Sequence, residues 1–329
     1  MAPAAREEKL NPKPNVIAIV GPTAVGKTAT GIELALRIGG EIVSADSMAV
    51  YKGMDIGTAK PTREERKLVR FHLIDVTDPD KPFSAGEYQK LAQAAIDDII
   101  NRNPPALIVG GSGLYIKAAV DGLALWIPPR NEELRRKLIS QAESLGKESV
   151  HGLLAEVDPE LAKRIHPNNL KRVIRALEIY HATGIPASVL FGQDADRGPT
   201  YPEARFFGLT MRREALYARI EERVDSMIAA GLVDEVASLL ERGIDRSLPS
   251  MQGLGYKEIA GYLQGEYSLE EAIARLKRNT RQFAKRQLTW FRADKRIRWI
   301  DVENRNPSET ARLIEQELKN EQGAAQPAG

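Results

Sequence analysis

The chain has no cysteine among its 329 residues. That excludes disulfides and thiolate-ligated metals, and it fits a reducing compartment. Histidine is nearly as scarce: four residues, scattered, with no H-x-x-x-H pair, which argues against a His-ligated metal. No apolar run approaches the roughly 18 residues that a membrane span needs. Met1–Leu10 has no apolar stretch of the kind a secretory leader carries. Charge of one sign is also missing, because 47 basic against 45 acidic residues leave a net +2. Whole-chain charge therefore gives no case for a nucleic-acid partner, and only its local distribution can. Nor is there an internal repeat. What remains is 43% hydrophobic and 28% charged, ordinary globular composition, in a length that suits one large domain or two smaller ones. A cytoplasmic chain without membrane association is expected.

The most informative stretch is Gly21-Pro-Thr-Ala-Val-Gly-Lys-Thr28, which reads G-x-x-x-x-G-K-T. Its context agrees with its letters. Val16–Val20 is apolar and mostly β-branched, as a buried strand requires. Beyond the loop, Ile32, Ala35 and Leu36 recur at helical spacing. A strand, a tight glycine loop and a helix N-terminus aim backbone N–H groups at one point, which is an anion site. Lys27 adds a charge and Thr28 a hydroxyl suited to Mg²⁺. Gly21, Thr23, Ala24, Val25 and Gly26 complete the candidate phosphate cradle.

Further apolar runs predict strands at 41–45, 71–75, 105–109, 205–211 and 296–300. Ser84 and Glu87 form a capping-box pattern that opens a helix with Tyr88, Leu91, Ala92, Ala95, Ile96 and Ile99 on its buried face. A second such pattern, Ser268 to Glu271, opens a helix over 269–292. Helices are also expected at 213–242 and 307–318. Strands alternating with helices over the first 120 residues mean a doubly wound parallel sheet. Between about 123 and 204 the pattern changes to helices (131–144, 151–157, 170–183) and turns. The predicted fold is α/β: a P-loop doubly wound parallel sheet core over 15–122 and 205–319, with a mainly helical insertion domain over 123–204. Residues 1–14 and 320–329 read as disordered tails.

Ligands in such sheets bind beyond the carboxyl ends of the strands. Asp46 ends the second strand and is expected near the P-loop, where a carboxylate can hold Mg²⁺ or take a proton. The strand at 105–109 ends in Gly110-Gly111-Ser112, without the aspartate by which an ordinary P-loop hydrolase holds its metal. Glycines there let a ligand or a backbone come close. Farther on, residues 275–298 carry ten Lys/Arg against the single acid Asp294, with Phe283, Trp290, Phe291 and Trp299 interleaved. Arg278, Arg281, Lys285 and Arg292 fall largely on one side of that helix, and such a stripe suits a phosphate backbone. Phe283, Leu288 and Phe291 read as core. Lys171, Arg172 and Arg175 form a second basic cluster, in the insertion.

The blocks Gly21–Thr28, Asp46–Pro61 (D-S-M-A-V-Y-K-G-M-D-I-G-T-A-K-P), Gly110–Tyr115, Arg164–Asn168, Arg175–Glu178, Gln252–Lys257 and Lys285–Trp290 resemble, in order, those of the bacterial tRNA dimethylallyltransferases. The P-loop alone is unspecific, whereas the block from Asp46 is highly specific. The resemblance implies transfer of the dimethylallyl group of dimethylallyl diphosphate to N6 of the adenosine 3′ to the anticodon (position 37), with release of diphosphate. It implies that the P-loop holds a diphosphate leaving group with Mg²⁺, through Thr23, Lys27 and Thr28. It implies charge neutralisation by Arg223 and Arg219, and Asp46 as acceptor of the N6 proton. RNA contacts are implied at Asp46, Ser47, Met48 and Ala49, at Ser112, at Lys171, Arg172, Val173, Ile174 and Arg175, and at Gln252, Gly253, Leu254, Gly255, Tyr256 and Lys257. The resemblance implies the tRNA anticodon stem-loop as partner, and a monomer is expected. Ser112 stands where many members have threonine, with the hydroxyl kept. The competing readings are a prenyltransferase acting on free adenine nucleotides, a small-metabolite kinase, and a non-catalytic RNA-binding protein that uses the loop as a nucleotide switch. The first of these needs neither the insertion nor the basic helix.

Overall fold

A computed structural model describes residues 16–123, 131–192 and 198–324. The expected N-terminal tail, Trp126, the prolines 128–129 and the last five residues lie outside them. The described chain falls into two compact units, one formed by the segments either side of residues 121–202 and one by those residues themselves.

The first unit is built on a parallel sheet. Its strands are β1 (Val16–Val20), β2 (Glu41–Ser44), β3 (Phe71–His72), β4 (Ala106–Gly110), β5 (Arg205–Thr210) and β6 (Ile297–Asp301), in the order β3-β2-β4-β1-β5-β6. β1 lies between β4 and β5, with Val16 opposite Ala106 and Ile17 opposite Arg205. Both flanks of β1 are thus paired, and its five residues are all buried, which is why it reads as an unbroken apolar run. The connecting helices are α1 (Lys27–Ile38), α2 (Arg63–Leu68), α3 (Ala85–Asn101) and α4 (Gly113–Asp121). The Ser84–Glu87 capping box is made in both directions. Leu91, expected on the buried face of α3, is instead 39% exposed. β3 is shorter than its apolar pattern because Leu73 and Asp75 take positive φ and turn the chain out of the ladder.

The second unit contains α5 (Glu132–Leu145), α6 (Lys147–Val157), α7 (Pro159–Ala162), α8 (Leu170–Thr183) and α9 (Ala187–Gly192) around a core of its own that includes Leu138, Val150, Leu154, Val173 and Ile174. At its centre Glu178, with no side-chain exposure, accepts from Arg135 at 2.8 Å and Arg175 at 3.1 Å. A buried carboxylate requires such partners.

The chain then returns to the first unit through β5, α10 (Arg213–Ala229), α11 (Leu232–Glu241), α12 (Tyr256–Leu263), α13 (Leu269–Arg292), β6 and α14 (Pro307–Ala324). The single helix predicted over 213–242 is two, broken at Gly231, whose φ of 96° is left-handed. α12 has no counterpart in the sequence reading. α13 has its predicted bounds, but although Ser268 accepts from the Glu271 amide, its hydroxyl donates to Glu270 and the reciprocal half of that capping box is not made. α14 extends to Ala324, so the tail expected from 320 begins as helix.

Candidate active site

The loop after β1 is held open by its neighbours. Gly21 has φ 144°, and a Cβ there would stand 2.6 Å from the Leu209 carbonyl oxygen, so only glycine fits. Ala24 and Gly26 also take left-handed φ, curling the loop over the start of α1. Among the described residues no acceptor pairs with the amides of Ala24, Val25 or Gly26. The Thr23 amide, in contrast, donates to Gln287 Oε1 at 2.8 Å. Gln287 is buried on α13, and its Nε2 donates to the Gly111 carbonyl at 2.9 Å. One side-chain amide therefore ties the P-loop to the loop after β4. The glycines of that second loop serve the protein's own packing. A Cβ at Gly110 would stand 2.1 Å from the Ala45 carbonyl oxygen, and one at Gly111 would stand 2.2 Å from Gln287 Nε2.

Three adjoining cavities open along these strand ends. The innermost is lined by Thr23, Lys27 and Thr28 of the P-loop, by Asp46 and Ala49, by Gly110 and Gly111, and by Arg223 of α10. A larger one, of about 280 Å³, shares Thr23, Asp46 and Arg223 and adds Ser47, Met48, Ser112, Gln252, Gly253, Leu254 and Lys257. The third, outside the loop, joins Ala24, Gly26, Lys27 and Thr28 to Arg219 and Arg223. Asp46 sits where its strand predicts, and its Oδ1 accepts from the Met48 amide at 2.8 Å, which fixes the carboxylate. Ser112 Oγ accepts from the Ser47 amide at 3.0 Å and donates to its hydroxyl at 3.2 Å.

The electrostatics of this cluster are unbalanced. Lys27 Nζ donates to the Pro22 carbonyl at 2.6 Å and pairs with no carboxylate among the described residues. Desolvation first, and then the charge of Arg223, push its pKa down to about 7 against the pull of Asp46. Arg223 is also pushed below the usual guanidinium range by desolvation, with Asp46 again opposing. Two cations thus share a half-buried space with one carboxylate, and an anion there would relieve both.

Several predicted contacts turn out to be structural. Val173 and Ile174 are 0% and 2% exposed in the core of the helical unit, so their side chains offer nothing to RNA; Lys171 and Arg172 beside them are exposed. Arg175 is engaged with Glu178. Gly255 and Tyr256 are buried as well. The Tyr256 hydroxyl donates to Glu235 at 2.7 Å, and the same carboxylate accepts from the amides of Asp55, Ile56 and Gly57. The Tyr256 ring lies so close to Gly57 that a Cβ there would meet it at 2.6 Å. The blocks 46–61 and 252–257 are therefore partners in space, and only the outer members of the second reach the cavity. Arg278 and Arg281 line none of these three cavities. Arg281 is paired with Glu221 at 2.5 Å, while Arg278 is exposed without a partner among the described residues.

Other lining residues escaped the sequence reading. Phe283, expected in the core, lines both inner cavities, as do Thr58 and Gln287. Gln287 lies within the motif Lys285–Trp290, which was its only signal. Lys60 lines the inner and outer cavities with a side chain only 1% exposed.

The fold and site together define an α/β protein with a G-x-x-x-x-G-K-T loop, a Lys–Arg couple with no ion pair among the described residues, and an aspartate in the same cavity at the carboxyl edge of its sheet. A family model described as IPP transferase matches residues 49–294. A tRNA dimethylallyltransferase of Desulforudis audaxviator is 56% identical over 291 residues, covering 88% of this chain and 93% of that protein. One of Geobacillus thermodenitrificans is 51% identical over 287 residues, covering 87% and 90%. Among solved structures, the full-length tRNA isopentenylpyrophosphate transferase of Bacillus halodurans is 44% identical with a TM-score of 0.68, covering 95% of this chain and 99% of that one. A eukaryotic dimethylallyltransferase acting on tRNA is 28% identical with a TM-score of 0.77, covering 93% and 79%. The chain belongs to the IPP transferase family.

Proposed function

We propose that the protein is a tRNA dimethylallyltransferase that moves the dimethylallyl group of dimethylallyl diphosphate to N6 of the adenosine 3′ to the anticodon, position 37, and releases diphosphate. The observation that carries this reading is that two cations without an ion pair among the described residues, Lys27 and Arg223, share one cavity with Asp46. A diphosphate against the free amides of Ala24, Val25 and Gly26 would satisfy Lys27 and Arg223, with Arg219 and Thr23 at its edges. The target adenine, extruded from its stack, would enter through the larger cavity past Ser47, Met48, Ser112 and Gln252. Its N6 lone pair attacks the first carbon of the prenyl chain. The C–O bond breaks, its electron pair leaves on the diphosphate, and the N6 proton passes to Asp46. Lys27 and Arg223 act most strongly as that charge develops.

The donor set suits Mg²⁺. No cluster of three His, Asp or Glu is present among the described residues, and Thr28 offers one hydroxyl at the head of α1. Mg²⁺ is commonly held by few protein oxygens together with substrate phosphates and water. Bound there, it would supply further neutralisation of the leaving group. RNA phosphates would meet Lys171, Arg172 and the exposed cations of α13. The anticodon stem-loop is the intended partner and a monomer in the cytoplasm the working form. No helix among the described residues is long and apolar enough to cross a membrane.

Incubation with dimethylallyl diphosphate labelled in the prenyl group, together with bulk tRNA or AMP, tests the reading. Label in tRNA alone is expected. Label in AMP alone favours the nucleotide prenyltransferase. No transfer, with steady phosphate release from ATP, overturns the proposal.

A further inference from the structure

The cations of α13 divide by direction. One flank faces α10 and is neutralised: Lys277 pairs with Asp225 at 2.7 Å and Arg281 with Glu221 at 2.5 Å. The crest, Arg278, Lys285 and Arg292 at helical spacing, is exposed and has no ion pair among the described residues. The opposite flank carries Phe283 and Arg286 into the 280 Å³ cavity, and one turn beyond them stands Trp290. Trp290 is 45% exposed, an unusual placement for the largest aromatic side chain. Its pyrrole edge lies on Gly113, where a Cβ would stand 2.2 Å from Cδ1 and Nε1. Gly113 follows Ser112, which lines the same cavity. The pyrrole edge of the indole is therefore braced by backbone, one residue from a wall of the cavity, while nearly half of the residue's surface remains accessible.

From this placement we infer that Trp290 is a stacking platform for the nucleotide next to the one that enters the cavity, with Arg286 taking the phosphate between them. The inference rests on the reading of the larger cavity as the adenine entrance. Extruding one base leaves its neighbour without a stacking partner, and an exposed indole replaces that partner whatever the base. The braced ring loses little freedom on binding. Cations without acids along the crest suit RNA, not an acidic-and-basic protein surface.

The test uses the full-length protein and substrate tRNA at fixed salt. Trp290→Ala should weaken tRNA binding on the order of 10-fold or more, with Trp290→Phe retaining most of it. The KM for dimethylallyl diphosphate should stay unchanged. Trp290→Leu keeps an apolar brace against Gly113 but has no π face, so it should bind as weakly as alanine; it carries the test if the alanine variant does not fold. Two tRNAs with an abasic ribose, one on each side of the target adenosine, complete a cycle. One of them should weaken the wild type by the factor lost in Trp290→Leu and weaken Trp290→Leu no further. Binding by Trp290→Leu within about twofold of wild type, or full losses from both abasic tRNAs in that variant, overturns the inference. Wild-type transfer to intact tRNA is measured alongside. If that fails, the functional reading falls; if it succeeds and binding ignores Trp290, this inference alone falls.

Discussion

Lys27 and Lys60 line the same cavity, and the fold treats them in opposite ways. Lys60 Nζ, almost without exposure, donates to the Tyr51 carbonyl at 2.6 Å and to the carboxylates of Asp55 at 2.7 Å and Asp75 at 2.6 Å. Arg66 adds a contact to Asp75 at 2.7 Å. Burial opposes ionisation of Asp75, but the hydrogen bonds from Lys60 and Arg66 outweigh it and hold its carboxyl below the usual range. Among the described residues Lys27 has only the Pro22 carbonyl. The chain thus completes one buried cation as a brace for the 51–75 segment and leaves the other incomplete. An incomplete cation beside an open pocket points to function, because a structural role would have brought a carboxylate with it. The same contrast recurs along α13, where one flank is neutralised and the crest is not.

The largest effects should fall on the incomplete side. Asp46→Asn keeps an acceptor for the adenine amine but cannot take its proton. Single-turnover transfer should fall by roughly 10²–10⁴-fold, with both substrates bound nearly as before. The rate is measured against Mg²⁺ concentration. A low rate flat in Mg²⁺ keeps the base assignment, and recovery with added Mg²⁺ would make Asp46 a metal ligand instead.

Lys27→Met and Lys60→Met should then separate cleanly. Lys27→Met is expected to lose on the order of 10²-fold in turnover, as for one charge-stabilising donor, without losing stability in urea. Lys60→Met should lose about 2 kcal/mol of stability, less than the ~3–5 typical when a fully buried pair is broken, because Asp55 is 60% and Asp75 33% exposed. Equal stability losses in the two variants would remove the distinction between brace and site.

These two lysines also mark what the sequence could show. The strands, the P-loop and Asp46 were legible, since apolar β-branched runs and a G-x-x-x-x-G-K-T loop act locally. Lys60 was not, because a lysine in a polar loop reads as solvated until Asp55 and Asp75 are seen to close on it. Gln287 and Phe283 lie inside the regular apolar rhythm of α13, and nothing local says which turn faces a cavity. The break at Gly231 hides in a continuous run of helix-forming residues, marked only by the shift of the buried face from Leu216, Ile220 and Val224 to Leu232, Val236 and Leu239. Leu73 and Asp75 end β3 by positive φ, against the β-branched and aromatic signal. What failed was information carried by long-range contact.

A smaller effect follows from the pKa of Lys27. Its folded value of about 7 lies below the 10.5 of the unfolded chain. Between those values the unfolded state holds the extra proton, so this group adds stability as pH rises from 7 towards 10.5. A bound diphosphate would return the charge. At pH 8 dimethylallyl diphosphate should bind with uptake of up to one proton, read by calorimetry in buffers of different ionisation enthalpy. Lys27→Met should lose that uptake, and uptake unchanged in the variant would place the proton elsewhere.

The smallest effect concerns the two arginines that the sequence treated alike. Arg278 is exposed on the crest with no ion pair among the described residues, whereas Arg281 pairs with Glu221 and lies 5.8 Å over the Tyr217 ring. A phosphate contact by Arg278 would release about one counterion, so Arg278→Ala should lower the salt slope of tRNA binding by about one unit. Arg281 must first leave its carboxylate, and removing it exposes Glu221 to the RNA. Arg281→Ala should therefore weaken binding by long-range repulsion while leaving the slope nearly unchanged, and Arg281→Ala with Glu221→Ala should restore the affinity. Equal slope changes in the two single variants would mean that the pair with Glu221 opens on RNA binding and that both flanks of α13 carry phosphate.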